Sequence, residues 1–361
     1  AAQRKKRMEY LQRNMELQIE QPDREIEKKV KENWDRVAKP LDGLGKFEGL
    51  IARIGAILGT AEISIGKKAV IVMCADNGIV AEGISQSGQE VTAAVTANLG
   101  IRNTSVCKMA KRAGAEIIPV DIGVNTKTVF PGVRDCKVRM GTRNFRKEPA
   151  MTDAEAEQAI ETGMELVREC KEAGYTLLGT GEMGIGNTTT SAAMAAALLG
   201  VSAETVTGRG AGLSDAGLLH KQQIVREALE KYRLTKEEPM RILCTVGGLD
   251  IAGLCGVFLG GAKYHVPIVA DGVISAVAAL TAERLAPGTR EYVIPSHRGK
   301  EPASDLLMRE LQLNPIIDAG LALGEGTGAV MMFSLLDLAM TLYESGATFR
   351  DFEIEQYERF V

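Results

Sequence analysis

Short apolar runs alternate with longer helical segments along the chain from about residue 69. Six runs have the length and composition of strands: Ala69–Ala75, Glu116–Ile122, Thr176–Leu178, Arg241–Val246, Pro267–Ala270 and Glu291–Ile294. Because strands that alternate with helices are typical of βαβ units, the pattern predicts an α/β fold with a mainly parallel sheet flanked by helices. Ligands bind such sheets beyond the carboxyl ends of the strands, so we expect the catalytic and binding residues in the loops that follow the strands.

Apolar residues at helical spacing predict further helices near both termini. These are an amphipathic arm over residues 1–20, a helix with Ile26, Val30, Trp34 and Val37 on one face, a helix with a buried stripe from Phe47 to Leu58, and a last helix over about Thr327–Ser345. We expect the terminal segments, residues 1–45 and 326–361, to form a small helical lobe. Residues 46–325 then form the large α/β domain that carries the chemistry.

The segment GTGEMGIGNTTT follows the third predicted strand and precedes an alanine-rich helix over Ser191–Leu199. Gly179, Gly181 and Gly184 match the GxGxxG pattern, whose glycines bring backbone N–H groups around a phosphate. Glu182 lies inside that turn, where its charge would oppose a dinucleotide pyrophosphate. The segment therefore favours acid, base or orienting chemistry beside a smaller phosphate, with an ordinary tight turn as the alternative.

Two further loops offer groups that can bind phosphate. Residues 207–221 form a glycine-rich loop, including Gly208 and Gly210, which enters a helix that carries Lys221. The loop can close over a ribose phosphate with Lys221 as a point charge, although a solvated helix lysine is the simpler interpretation. Ser296 and His297 follow the last predicted strand; Ser296 can bind phosphate, whereas a structural role is the more common one for a histidine.

The segment LGEGTGA places Glu325 between Gly324 and Gly326, immediately before the last helix. A carboxyl group that is partly desolvated has a raised pKa, which suits a general base. The alternative is that Glu325 neutralises the helix N-terminus. Asp76 and Asn77, after the first strand, are likewise either ligands or turn and cap residues.

Composition limits the classes of partner. The 43 Lys and Arg residues nearly balance the 47 Asp and Glu residues, which disfavours nucleic acid and anionic membranes as partners. No apolar run reaches the roughly 18 residues of a spanning helix. The six cysteines include no CxxC pair and favour a reducing compartment, so we expect a cytoplasmic protein.

Several motifs in register resemble one family, the nicotinate-nucleotide:dimethylbenzimidazole phosphoribosyltransferases, known as the CobT family. The likeness extends from about Lys39 to about Ser345 through KPLDGLGK, MCADNGIVAEG, GEMGIGNTT, TVGGLDIAG, IPSH and LGEGTGA. It implies a Rossmann-like sheet, a small lobe made from both termini, a homodimer, and neither metal nor cofactor. It also implies transfer of the 5-phosphoribosyl group from nicotinate mononucleotide to a benzimidazole-type base, with inversion at the anomeric carbon.

The resemblance also implies residue roles. It makes Glu325 the catalytic base and Glu182 a second catalytic glutamate that orients the ring or a water. The phosphate is expected against Gly184, Lys221 and Ser296, with Gly208 and Gly210 in the loop that closes over it, and the base near Ser87 and Met183. The chain departs from the family pattern at Asn77, where a histidine is usual, at Ala322, where an arginine is common, and around Gln86 and Gly88.

Two other functions remain open at this level. The glycine match at residues 179–184 is compatible with a dinucleotide-dependent oxidoreductase. A non-enzymatic protein that binds nucleotides or bases is the second alternative, and it requires both glutamates to be structural.

Overall fold

The computed structural model describes residues 17–360, so most of the predicted N-terminal arm lies outside the described residues. Residues 17–23 have no regular secondary structure. Six parallel strands form one sheet: β1 (Lys68–Ala75), β2 (Ala115–Gly123), β3 (Arg134–Asp135), β4 (Leu177–Met183), β5 (Ile268–Ala270) and β6 (Val293–Pro295). Their order across the sheet is β3-β2-β1-β4-β5-β6, which is the strand order of the Rossmann fold. The predicted fold class is confirmed.

Helices cover both faces of this sheet. They are α1 (Arg24–Arg36), α2 (Lys46–Leu58), α3 (Gln89–Gly100), α4 (Ser105–Arg112), α5 (Asp153–Glu172), α6 (Asn187–Leu199), α7 (Ala203–Val206), α8 (Asp215–Tyr232), α9 (Pro239–Val246), α10 (Leu249–Tyr264), α11 (Val273–Leu285), α12 (Ala303–Glu310) and α13 (Thr327–Ser345). Two short 3-10 turns, Gly78–Glu82 and Thr289–Tyr292, complete the described secondary structure.

Side chains of β1 alternate between two buried cores, because successive residues of a strand point to opposite faces. Ile71 and Met73 pack with residues of α5, α6, α10 and α11 on one face. Val70 and Val72 pack on the other face with residues of α1, α2, α4 and α13. The whole of β1 is buried, as expected for a central parallel strand.

The terminal helices pack against one another on the second face. Trp34 of α1 is fully buried and its ring lies 5.1 Å from that of Tyr343 of α13. Val37 and Thr348 form an isolated β-bridge that joins the chain after α1 to the chain after α13. These contacts agree with a helical unit built from both termini, while the boundaries at residues 45 and 326 stay a prediction.

The prediction of a strand over Arg241–Val246 is wrong, because these residues belong to helix α9. Pro239 occupies the first turn of α9, where a missing N–H costs nothing, and a short buried helix has the same apolar run as a strand. Two strands were placed imprecisely: β4 extends to Met183, and β6 begins only at Val293 after a 3-10 turn. The short strand β3 was not predicted.

Candidate active site

A cavity opens at the carboxyl ends of the parallel strands. Its volume is about 380 Å³, within the range of small-molecule sites. The loops after β4, β5 and β6 line it, together with residues 84–86, the loop 209–213 and residues 321–325. Both predicted catalytic residues, Glu182 and Glu325, lie in this lining. The sheet topology therefore brings together the chain segments that contain the glutamates singled out in the sequence.

Glu325 lies in a strained turn that enters α13. Its φ is +60°, between Gly324 at +83° and Gly326 at +93°, so three consecutive residues have left-handed backbone. A non-glycine residue in that region costs of order 1 kcal/mol or more and persists only when its surroundings hold it. Gly181 of β4 provides the space, since a Cβ there would lie 2.4 Å from the carbonyl oxygen of Glu325.

Asp271, which follows β5, holds this turn. Its two carboxylate oxygens accept backbone N–H groups of Gly326, at 3.1 Å, and Gly328, at 2.8 Å, at the start of α13. The side chain is buried, and burial raises the pKa of Asp271 while the nearby His297 opposes the shift. A carboxylate at a helix N-terminus accepts hydrogen bonds from N–H groups that have no partner within the helix, and its negative charge interacts favourably with the positive end of the helix dipole. Asp271, rather than Glu325, therefore caps α13.

The Glu325 carboxyl group faces the N-terminus of α4. Its Oε2 accepts the N–H of Val106 at 3.4 Å, and Thr104 is a second hydrogen-bond partner. Burial raises the pKa of Glu325, and the negative charge of Asp271 raises it further, whereas the two hydrogen bonds oppose the shift. A carboxylate with a raised pKa binds a proton more strongly than one in water, which is what proton abstraction from a substrate requires.

Glu182 belongs to a network of polar groups beneath the cavity. The amide Nδ2 of Asn187 donates to Glu182 Oε2 and, at 3.0 Å, to Oδ2 of the fully buried Asp250. Burial raises the pKa of Glu182 to about 8, with further contributions from Asp250, Asp271 and Glu325. Burial also raises the pKa of Asp250 to about 6. The raised pKa favours the protonated form of Glu182, which can donate a hydrogen bond into the cavity.

Donor groups gather at one end of the cavity, where the N-terminus of α6 meets the loop 207–212. The helix provides Asn187 and Thr188, and the loop provides Arg209 and the N–H of Gly210. Lys221 is fully buried directly behind this wall, and its Nζ donates to Thr188 Oγ1 at 2.9 Å. Burial lowers the pKa of Lys221 to about 8, against the effect of the Glu301 carboxylate. We call this group of donors the anion end.

The other predicted site residues lie at different depths. Met183, Gly184 and Gly210 line the cavity, whereas Ser87, Gly208, Lys221 and Ser296 are outside its lining. Ser296 is buried and its Oγ donates to the carbonyl oxygen of Ala270 at 2.6 Å. Gln86, next to Ser87, lines the cavity and donates to the carbonyl oxygen of Gly212 at 2.6 Å, so it joins two loops at the cavity mouth.

The GxGxxG match is not a phosphate-binding turn. Gly179 and Gly181 lie within strand β4, where they let α13 and the Glu325 turn approach the sheet. A Cβ on Gly179 would lie 3.0 Å from side-chain atoms of Ala329 and Phe333. Close packing explains these two glycines, which removes the observation on which the oxidoreductase alternative rested.

Sequence reasoning missed three acidic residues of the site, Asp250, Asp271 and Glu301. Asp271 follows a predicted strand directly, and that position alone was a usable signal. Asp250 contacts Asn187, 63 residues away in the chain, and Glu301 contacts Gly210, 91 residues away. No local pattern reveals such contacts.

Among residues 17–360, no group of three or more His, Cys, Asp or Glu side chains is arranged to hold a metal ion. None of the helices in that range is long and apolar enough to cross a membrane.

Comparisons with known proteins agree on one family. A family model described as "Phosphoribosyltransferase" matches residues 19–354. Two relatives named "Nicotinate-nucleotide--dimethylbenzimidazole phosphoribosyltransferase" come from Clostridium acetobutylicum and Acetivibrio thermocellus. The first is 44% identical over 93% of this chain and 96% of its own length, and the second is 45% identical over 91% and 94%. The crystal structure of CobT from Thermus thermophilus has a TM-score of 0.87 and 38% identity, covering 92% of this chain and all of that chain.

Proposed function

Because the chain belongs to the nicotinate-nucleotide–dimethylbenzimidazole phosphoribosyltransferase (CobT) family, we propose that it transfers the 5-phosphoribosyl group of nicotinate mononucleotide to an aromatic base. The products are nicotinate and the α-riboside phosphate of the base, as needed for the lower ligand of a cobamide. The observation that carries this proposal is one cavity with two glutamates of raised pKa beside a cluster of hydrogen-bond donors.

Transfer requires one bond to form and one to break at the anomeric carbon. A ring nitrogen of the incoming base attacks that carbon from the face opposite nicotinate. The N-glycosidic bond breaks, and its electron pair returns to the pyridinium nitrogen, so nicotinate leaves without protonation. The incoming base becomes positively charged and must lose its ring N–H proton. In our proposal the carboxylate of Glu325 accepts this proton, which its raised pKa favours.

The remaining residue roles form part of the same proposal. We place the ribose phosphate at the anion end, close to Gly210, Thr188 and the ammonium group of Lys221. Glu182, whose raised pKa favours the protonated form, then serves as a hydrogen-bond donor that orients a ring or a water, held by Asn187. Ser296 acts indirectly, because its hydroxyl also lies 2.9 Å from Nδ1 of the cavity-lining His297. The base lies near Met183 and the loop that contains Ser87.

A homodimer stays a prediction that rests on the family resemblance, and a cytoplasmic location stays a prediction that rests on the cysteine pattern. Exposed apolar side chains on α13, such as Leu338 at 69% exposure, are compatible with a surface that a second copy covers. Light scattering after size-exclusion chromatography tests the dimer directly, and a monomer at micromolar concentration contradicts it.

The activity is tested by incubating the protein with nicotinate mononucleotide and a panel of bases, followed by chromatography. We expect nicotinate release that depends on the added base and matches the riboside phosphate formed. Benzimidazoles, purines and phenolics in the panel identify the preferred base class. A protein that binds the mononucleotide but releases no nicotinate with any base is a binding protein, which contradicts the proposal.

A further inference from the structure

Glu301 places its own carboxylate at the anion end of the cavity. It follows β6 in the short connection to α12, and its Oε1 accepts the N–H of Gly210 at 3.0 Å. Its Oε2 packs against Gly208, where a Cβ would lie only 2.0 Å away. Loop 207–212 is therefore folded closely around a negatively charged group that belongs to the protein itself.

The surroundings of Glu301 are those of a bound anion. Gly210 lies between Glu301 and Lys221: its N–H binds Glu301, and a Cβ on it would be 3.5 Å from Lys221 Nζ. The charge of Glu301 supports the charged form of the buried Lys221. Thr188, which accepts a hydrogen bond from Lys221, lies in the first turn of α6, whose N–H groups and dipole also favour an anion.

We propose that Glu301 is an internal substitute for the substrate phosphate, which the phosphate must displace from Gly210 before the nucleotide is fully bound. The inference rests on the proposed function in placing the phosphate at this end. Glu301 is thereby a specificity residue: its charge favours the charged form of the buried Lys221 when the cavity is empty, and it sets how strongly a phosphate must bind to enter.

Displacement is physically accessible for this side chain. Glu301 is partly exposed and lines the cavity, and it lies in an irregular segment just before α12. A rotation about its side-chain bonds frees the N–H of Gly210 without moving a strand. Without that rotation, a phosphate at Gly210 would lie directly beside a like charge, which is unfavourable.

Glu301→Gln tests the inference, because glutamine keeps an oxygen that accepts the Gly210 N–H but carries no charge. We expect the KM for nicotinate mononucleotide to fall about tenfold, since a competing like charge is removed. We expect kcat to stay within about threefold, and inorganic phosphate to bind more tightly by calorimetry. The KM for the dephosphorylated nicotinate riboside should not change. Glu301→Asp, which withdraws the carboxylate from Gly210, should give an intermediate KM for the mononucleotide.

Glu283→Gln is the matched control. Glu283 likewise accepts backbone N–H groups, from Gly288 and from Arg290 at 2.8 Å, but it lies outside the cavity lining. Its replacement should leave both KM values unchanged.

If Glu301→Gln leaves the KM for the mononucleotide unchanged, or changes the KM values for mononucleotide and riboside equally, Glu301 only supports the loop and the inference is wrong. A parent protein that releases no nicotinate with any base contradicts the proposed function instead, so the two failures can be told apart.

Discussion

Glu325 combines an unfavourable backbone conformation with a carboxyl group of raised pKa. Its φ of +60° is maintained by neighbours on three other segments: Gly181, Asp271 and the N-terminus of α4. Strain of this kind is found where a side chain must be held in one position for chemistry. The arrangement explains why a glutamate, rather than a third glycine, occupies the middle of this turn.

Glu325→Gln keeps the shape of the side chain and removes its ability to take a proton. If Glu325 is the general base, kcat with a benzimidazole should fall about 10²–10⁴-fold, while nicotinate mononucleotide binding changes little. Steady-state kinetics with calorimetry of mononucleotide binding measure both. Turnover within about threefold of the parent would mean that Glu325 only maintains the shape of the site.

Lys221→Ala removes the buried ammonium group behind the anion end. Loss of a charge-assisted phosphate contact should weaken nucleotide binding by about 1.5–3 kcal/mol. If Lys221 binds the phosphate, the affinity for the dephosphorylated riboside should fall much less, because the riboside lacks that group. Comparing kcat/KM for the two substrates decides the point, and equal losses on both would refute the phosphate role.

At the residue scale, the sequence singled out two glutamates that the structure brings to one cavity, but it did not reveal the groups that support them. Glu182 and Glu325 stand out because glycines surround them, and this local signal is visible in a single segment. Asp250 and Asp271 act on those segments from elsewhere in the chain, through contacts that only the folded sheet creates. The identity of a supporting group is a property of the topology, which no short window of sequence contains.

Helix α13 connects the Glu325 turn to the rest of the molecule. Its N-terminus has no side-chain cap of its own and depends on Asp271 for two hydrogen bonds. Its far end packs against α1 through Tyr343 and Trp34. A change at the Asp271 cap should therefore affect both the stability of α13 and the position of Glu325.

Asp271→Asn provides one acceptor in place of two and removes the charge at the start of α13. We expect a loss of about 1–2 kcal/mol in the free energy of unfolding together with a kcat at least about tenfold lower. Asp23→Ala is the matched control, because Asp23 caps α1 through the N–H groups of Glu25 and Ile26. It should lose about 1 kcal/mol with kcat unchanged. An Asp271→Asn variant that is less stable but fully active would show that the cap does not position Glu325.

A helix or strand could be predicted from the sequence where its length and the spacing of its apolar residues fit only one type of secondary structure. The terminal helices have long apolar stripes, and both α2 and α13 were located to within a residue of their ends. Helix α9 is only eight residues long and largely buried, so its apolar run resembles a central strand. Burial on most sides removes the periodicity that distinguishes a helix from a strand.

The molecule as a whole should lose stability as the pH rises, because the folded state raises the pKa of Glu182. The pKa of Glu182 is about 8 in the folded state and about 4.3 in the unfolded state. Between these two pH values the folded state keeps a proton that the unfolded state has already lost. The free energy of unfolding contributed by Glu182 therefore falls as pH rises through this window, and the favourable contribution is complete only below it.

Glu182→Gln removes this dependence, because glutamine cannot ionise. The urea midpoint of the variant should rise relative to that of the parent between pH 5 and pH 9. Glu165→Gln is the control: Arg168 lowers the pKa of that exposed carboxyl group, so the midpoint difference should not grow with pH. A Glu182→Gln difference that stays constant across the range would contradict the raised pKa.

At the scale of the whole chain, the alternation of strands and helices predicted the α/β class, and the order β3-β2-β1-β4-β5-β6 then brings the loops after β4, β5 and β6 to one cavity. The sequence does not contain that order explicitly, because alternation is the same for several parallel arrangements. Convergence of Glu182, Asp271 and Glu325 at one edge follows from the order of strands rather than from any motif.

The most direct test of the account is the anomeric configuration of the product, measured by NMR after incubation of the protein with β-nicotinate mononucleotide and a benzimidazole. Attack from the face opposite nicotinate inverts the anomeric carbon, so we expect the α-riboside phosphate in an amount equal to the nicotinate released. A product that retains the β configuration, or nicotinate released without any riboside of the base, would contradict direct transfer in this cavity.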